Sequence, residues 1–250
     1  MPKNNRKLKI QLINKGSIVR LGILFLLLFL IGLWGWLSMF WMPGQSYRAT
    51  LPPLDGNAIA LKEALQKDVQ TIAKAIGARN DRHYERLNRS RTFLATSLAQ
   101  AGYEVRQKEY TIEGKVYSNL EVEKLGTEKP KEIVIIGGHY DSAFTSPGAN
   151  DNGTGAAATL ELARIFSQRS TKRTIRFVEF TNEESPFFWT KEMGSLVYAK
   201  HIHQNNDNIV AMLSLETMGY FPTLQRAKNI HSPLACSTPI KAILSGSLVT

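Results

Sequence analysis

The stretch EIVIIGGHYDSAFTSPGANDNGTG, Glu132 to Gly155, decides how the fold is read. An apolar run, Ile133 to Ile136, ends in two glycines and is followed at once by His139, Asp141 and Asp151 in a loop that leads into a helical pattern. A strand that delivers polar side chains to a loop and then a helix is the repeating unit of a parallel α/β sheet. The unit repeats downstream: hydrophobic spacing predicts helix 155–168, strand 174–180, helix 194–203 and strand 209–215. Ligands of such sheets gather beyond the carboxyl ends of the strands. There the second strand offers Glu183 and Glu184, and the third offers Glu216.

Upstream, Ile59, Leu61, Leu65, Val69, Ile72 and Ile76 give helical spacing over 57–76, and Asn80 is placed to cap a second helix that Gly102 stops after Ala101. Segments 104–112 and 116–125 read as a hairpin turning at Gly114. The expected fold is α/β: a mostly parallel central sheet flanked by helices, preceded by one transmembrane helix.

The formal charge of +10 suggests nucleic acid or membrane until it is located. Lys3, Arg6, Lys7, Lys9, Lys15 and Arg20 precede the first acid, and Arg226, Lys228 and Lys241 lie in an acid-free tail. The intervening chain is near neutral, so no nucleic-acid partner is assigned. Leu21 to Met42 has no charged residue, enough at about 1.5 Å per residue to cross a hydrocarbon core of roughly 30 Å. Cationic residues before it and Trp34, Trp36 and Trp41 toward its far end predict a cytoplasmic N-terminus and an extracytoplasmic body. A cleaved signal peptide is the alternative, but the run exceeds an h-region of about 7–15 residues and no A-x-A site follows. The organisation read from this is a basic segment 1–20, an anchor 21–42, a Pro/Gly-rich linker 43–56, a soluble domain 57–221 and a tail 222–250. Cys236 is the single cysteine, which excludes an intrachain disulfide and a cysteine-built zinc site.

Imidazole nitrogen with carboxylate oxygens suits zinc, with Mn or Co as substitutes. Asp151 is the choice for a carboxylate shared by two ions. Asp141, two residues beyond His139, is close enough to orient the imidazole. Glu183 and Glu184 point differently, so one can ligate while the other serves as general base toward an attacking water. Singly, each feature also reads as an ordinary surface loop or helix entry; their joint placement after three successive strands favours a metal site. His83, His201 and His203 lie in polar surroundings and are read as solvated.

The motifs GGHYDS, PGANDNGTG, IRFVEFTNEE, MGSLVYA and LSLETMGY, spread over roughly Arg79 to Tyr220, resemble the M28 family of zinc aminopeptidases. That resemblance implies a phosphorylase/hydrolase-like α/β domain with two zinc ions and removal of N-terminal residues from peptides. It also implies roles: His139 as a terminal ligand, Asp151 bridging, Glu184 and Glu216 on opposite ions, Glu183 as general base and Asp141 supporting His139. The sequence departs from the family pattern in three places. Glu216 stands where many members have Asp. The insert SPFFWTKE carries Phe187, Phe188 and Trp189, which line a substrate pocket or pack in the core. The family's last zinc ligand is a His far downstream, and His231 is too near Glu216 to replace it.

The acid-free tail has its own explanation. Read in the adjacent frame, LACSTPIKAILSGSLVT permits GLFYPDQGNFIGFVGN, which looks like the family's continuation, so a one-base deletion near Phe221 is expected and the chain as written is expected to be inactive. The functional expectation is a membrane-anchored zinc exopeptidase acting on peptides. A glutaminyl-cyclase-like acyltransferase with one zinc, or a non-catalytic domain of the same fold, are the alternatives.

Overall fold

A computed structural model describes residues 14–39 and 52–219. Residues 40–42 of the expected anchor, most of the linker, His231 and the tail reading of 222–250 lie outside the described residues.

Helix α1, Lys15–Met39, starts six residues before the charge-free run because the Asn14 side chain accepts a hydrogen bond from the Ser17 backbone N–H at 2.8 Å. The helix is long and apolar enough to cross a membrane, and none of it is buried against protein. It belongs to one of two compact units; the other spans Pro52–His231.

The second unit opens with α2, Gly56–Val69, capped by Asp55 accepting from Ala58 N at 2.7 Å. The helix continues as a wider turn, Gln70–Ile76, that buries Ile72, Ala73 and Ile76 and stops at Gly77, whose φ of 86° suits glycine. Asn80 accepts from Arg82 N and His83 N at 3.1 and 3.2 Å and starts the short turn that becomes α3, Tyr84–Gln100. The strands are β1, Arg106–Ile112; β2, Lys115–Lys124; β3, Lys129–His139; β4, Arg173–Phe180; and β5, Ile209–Ser214. Helix α4, Thr154–Ser167, links β3 to β4, and α5, Gly194–Gln204, links β4 to β5.

The sheet order is β1-β2-β4-β3-β5, with β3 parallel to both β4 and β5, but β2 antiparallel to β1 and to β4. The three strands β3, β4 and β5 are parallel as expected, and the hairpin joins the same sheet antiparallel, which makes the sheet mixed. Its strand β2 is interior, buried continuously from Tyr117 to Val122, and even Glu121 is enclosed, bonded to Arg106 at 2.9 Å and to the Tyr198 hydroxyl. Alternate residues face opposite sides of the sheet. Ile133, Ile135, Val178 and Phe180 pack on Tyr198 of α5, while Phe177, on the other face, meets Phe166 of α4 at 6.0 Å. Helices on opposite faces put β4 and β5 on opposite sides of β3, so the chain order reverses at β3. That reversal is where a doubly wound sheet opens a crevice, and His139 ends this strand.

Glu179 of β4 is fully buried and neither carboxyl oxygen has a hydrogen-bond partner among the described residues. Burial pushes its pKa well above the usual 4.5. The unfolded chain releases this proton from about pH 4.5 upward while the folded chain retains it, so Glu179 lowers stability as pH rises past that value. Glu179→Met is expected to raise the melting temperature at pH 7, with about 1–3 kcal/mol of desolvation relieved, and the gain is expected to shrink below pH 4.5. Thermal melts of both proteins across pH check this; a variant less stable at every pH contradicts it.

Candidate metal centre

Three strand ends and one loop converge at the reversal point. His139 is 4% exposed. Its Nδ1 lies 3.2 Å from Asp141 Oδ1, and its Nε2 lies 3.2 Å from both Asp151 Oδ1 and Glu216 Oε1 and 3.7 Å from Glu183 Oε2. Glu183 and Glu184 follow β4, and their backbone N–H groups donate to the two oxygens of Asp141 at 3.2 and 2.9 Å. All six residues singled out in the sequence are thus in one place. His139, Asp151 and Glu216 form one group able to hold a metal ion, and His139, Glu183 and Glu184 another. His83, His201 and His203 join no such group among the described residues.

The backbone explains why the groups meet. Asp151 sits in extended conformation (φ −109°, ψ 101°) inside a wide turn, Ala149–Gly153. Asn152, fully buried, closes that turn: its Oδ1 accepts from Gly155 N at 3.1 Å, and its Nδ2 donates to Leu215 O at 2.9 Å, bringing β5's end to the loop. Close approach requires glycine at position 155, where a Cβ would stand 2.2 Å from Leu215 O. Asn119 of β2 does similar work behind β4, accepting from Thr181 N at 3.0 Å and donating to Gly194 O at 2.8 Å. Arg79 and Asn80 bond the backbone of the 140–148 loop from behind. Sequence reading passed over Asn152, Asn119 and Arg79, since their partners are distant main-chain groups with no local signature; only the Gly-flanked run Gly148–Gly155 hinted that the backbone comes close to something.

The electrostatics favour a cation. Burial lowers the His139 pKa, but hydrogen bonds to Asp141, Asp151 and Glu216 outweigh it and push it up to about 12. The bond to His139 in turn draws Asp151 below the usual carboxylate range. Burial, then repulsion from Asp151 and Asp141, lifts Glu184 to about 7, and burial raises Glu183. Arg79 is lowered to about 10 by burial, against the attraction of Asp141 and Asp151. With a proton on Nδ1 facing Asp141, the lone pair of Nε2 points at two carboxylate oxygens, an arrangement that is repulsive unless a proton or metal ion lies between them. Ligands about 2.0–2.1 Å from a tetrahedral zinc are roughly 3.3 Å apart, close to the 3.2 Å found here. One nitrogen and several carboxylate oxygens at that spacing fit zinc. His139 presents one free nitrogen, so it serves one ion.

The carboxylates open onto a cleft of about 340 Å³ that Ser185, Phe188 and Thr217 also line. The aromatic insert divides: Phe187 packs edge-on against Tyr117 at 5.5 Å, Phe188 faces the cleft, and Trp189 is 84% exposed.

Comparison with known proteins gives a family match and a shared fold. Residues 120–235 match peptidase family M28. The chain is 32% identical over 182 residues to YfbL of Escherichia coli (strain K12), itself uncharacterized, covering 70% of this chain and 55% of that protein. It is 37% identical over 105 residues to the aminopeptidase YwaD of Bacillus subtilis (strain 168), covering 40% of this chain and 22% of the other. The chain therefore spans about half the length of the first relative and less of the second. Among solved structures, the zinc aminopeptidase BSAP of Bacillus subtilis superposes with a TM-score of 0.54 at 14% identity, over 61% of this chain and 68% of that one. The glutaminyl cyclase of Fimbriiglobus ruber gives 0.52 at 20% identity, over 69% and 64%. At these identities the two superpositions show a shared fold.

Proposed function

We propose, from the match of residues 120–235 to peptidase family M28 and the hydrolase that this family resemblance implies, that the protein is a zinc exopeptidase that removes N-terminal residues from peptides. The observation that supports this most is the convergence of Asp151 and Glu216 on His139 Nε2 at 3.2 Å, above a cleft that Glu183 also lines. In this reading His139, Asp151 and Glu216 would hold one zinc ion, and Asp151 with Glu184 would hold a second. Zinc, when bound, polarises the scissile carbonyl and makes water a stronger nucleophile.

The chain's own groups do the rest. Asp141 fixes the imidazole orientation and tautomer through Nδ1 and fixes the Glu183–Glu184 backbone through two N–H groups. Glu183 is partly exposed to the cleft and is assigned as general base. Its carboxylate takes a proton from water as the water oxygen bonds to the peptide carbonyl carbon, and returns it to the leaving nitrogen as the C–N bond breaks. A cyclase-type acyl transfer is the rival, supported by fold likeness alone; it requires one zinc and an N-terminal glutamine substrate, and a non-catalytic domain binds none.

Glu183→Gln in the full-length gene product is expected to lower kcat by about 10²–10⁴-fold with zinc content unchanged. Hydrolysis of a panel of amino-acid amides, with and without a chelator, is the readout. Undiminished activity in the variant contradicts the general-base role, and no chelator-sensitive activity in the parent contradicts the exopeptidase.

Helix α1 is proposed as a retained anchor with the basic N-terminus in the cytoplasm. The protein is expected to stay with membranes through alkaline carbonate washing, and release by that treatment contradicts the anchor. The frame-shift reading of 222–250 is tested by resequencing the source DNA across codons 215–255: an additional T near the Phe221 codon restores the family-like frame, and unchanged bases contradict it.

A further inference from the structure

We propose that Arg79 is a positioning residue of the metal centre: its guanidinium sets the separation between the strand end bearing His139 and Asp141 and the turn bearing Asp151. This rests on the metallopeptidase reading above and extends it to a residue outside the converging ligand set.

Arg79 is fully buried. Nε donates to Tyr140 O at 2.5 Å, between His139 and Asp141 in the chain. Nη1 donates to Pro147 O at 2.5 Å and to Gly77 O at 3.3 Å, and Nη2 donates to Gly148 O at 3.0 Å. The backbone adds two bonds to the same loop, Arg79 N to Ser142 Oγ at 3.1 Å and Ser142 N to Arg79 O at 2.9 Å. One planar group thus grips both ends of the 140–148 loop.

The grip continues to Asp151. Gly148 O, held by Nη2, also accepts from Gly153 N at 2.9 Å, which closes the turn containing Asp151. The turn is tight: a Cβ at Gly148 would stand 2.5 Å from Asp151 O and 2.6 Å from Ser142 Cβ, and φ there is 53°. Displacing the guanidinium therefore displaces Asp151 relative to His139.

The choice of residue follows from geometry and charge. Arginine offers five N–H donors in a rigid fork, whereas lysine offers three from one atom and cannot reach Tyr140 O and Gly148 O together. Among the described residues every hydrogen-bond acceptor of the guanidinium is a main-chain carbonyl, so none of the cluster's carboxylates is diverted to neutralise it. A fixed positive charge behind five clustered carboxylates also reduces their mutual repulsion before any metal arrives.

A structural staple alone would cost stability without altering metal binding at temperatures where the protein is folded. The test compares zinc affinity, measured by competition with a chromophoric chelator, and the cobalt absorption spectrum for the full-length protein, Arg79→Lys and Leu98→Ala. Leu98 is buried in α3, is in neither the ligand groups nor the cleft lining, and serves as a destabilised control. Arg79→Lys is expected to weaken zinc binding about 10–100-fold and to alter the cobalt spectrum, while Leu98→Ala stays within about twofold of the parent despite an equal or larger fall in melting temperature. Parental zinc affinity in Arg79→Lys, or equal weakening in Leu98→Ala, overturns the proposal. Should Arg79→Lys fail to fold, Asn80→Ala removes the neighbouring bonds to Ser142 O and Phe144 O, both 2.7 Å; a smaller loss of zinc affinity is expected, and no loss overturns the proposal. A parent protein that binds no zinc refutes the metallopeptidase reading itself, a result distinct from a parent and a variant that bind equally.

Discussion

The carboxylate of Asp141 is the constraint on which the site depends. It is almost wholly buried, and it faces His139 Nδ1 while accepting the backbone N–H groups of Glu183 and Glu184. One side chain at the end of β3 thereby fixes an imidazole on its own strand and two glutamates on the next. Buried carboxylates are tolerated when hydrogen-bonded in this way. Loss of Asp141 would free the ring and leave two amides without acceptors.

Around that anchor the structure gathers more negative charge than it neutralises. Asp151, Glu183, Glu184 and Glu216 join Asp141 about a single imidazole, with Arg79 as the buried cation behind the loop. Burial first, and then the neighbouring carboxylates, raise Glu183 and Glu184, while hydrogen bonds to Asp141, Asp151 and Glu216 raise His139, so protons are held where a divalent cation would relieve the repulsion among the carboxylates. A cluster of this kind is costly unless occupied, and cleft access for Asp151, Glu183, Glu184 and Glu216 gives a ligand a way in.

Much of this was legible in the sequence because it was periodic or local. The apolar runs ending at Ile136, Phe180 and Leu215 marked strands, and the polar residues just beyond them are the ones the fold brings together. What escaped was long-range. The hairpin's place in the main sheet depends on Glu121 and Asn119 being buried against partners 77 and 62 residues away, Tyr198 and Thr181, which the local alternation of 116–125 does not reveal. Arg79, in the run IGARND, carries no pattern that distinguishes it from a surface arginine; its partners are carbonyls 61–69 residues later. The split of the aromatic insert into a half-buried Phe187 packed on Tyr117 and a cleft-facing Phe188 likewise depends on Tyr117, which only the folded chain brings near.

The most direct test is zinc-edge anomalous diffraction from crystals of the full-length gene product grown with zinc. The account predicts a peak about 2.1 Å from His139 Nε2, flanked by Asp151 and Glu216. A map without a peak there, with His139 bonded directly to Asp151 and Glu216 through a proton, would contradict it.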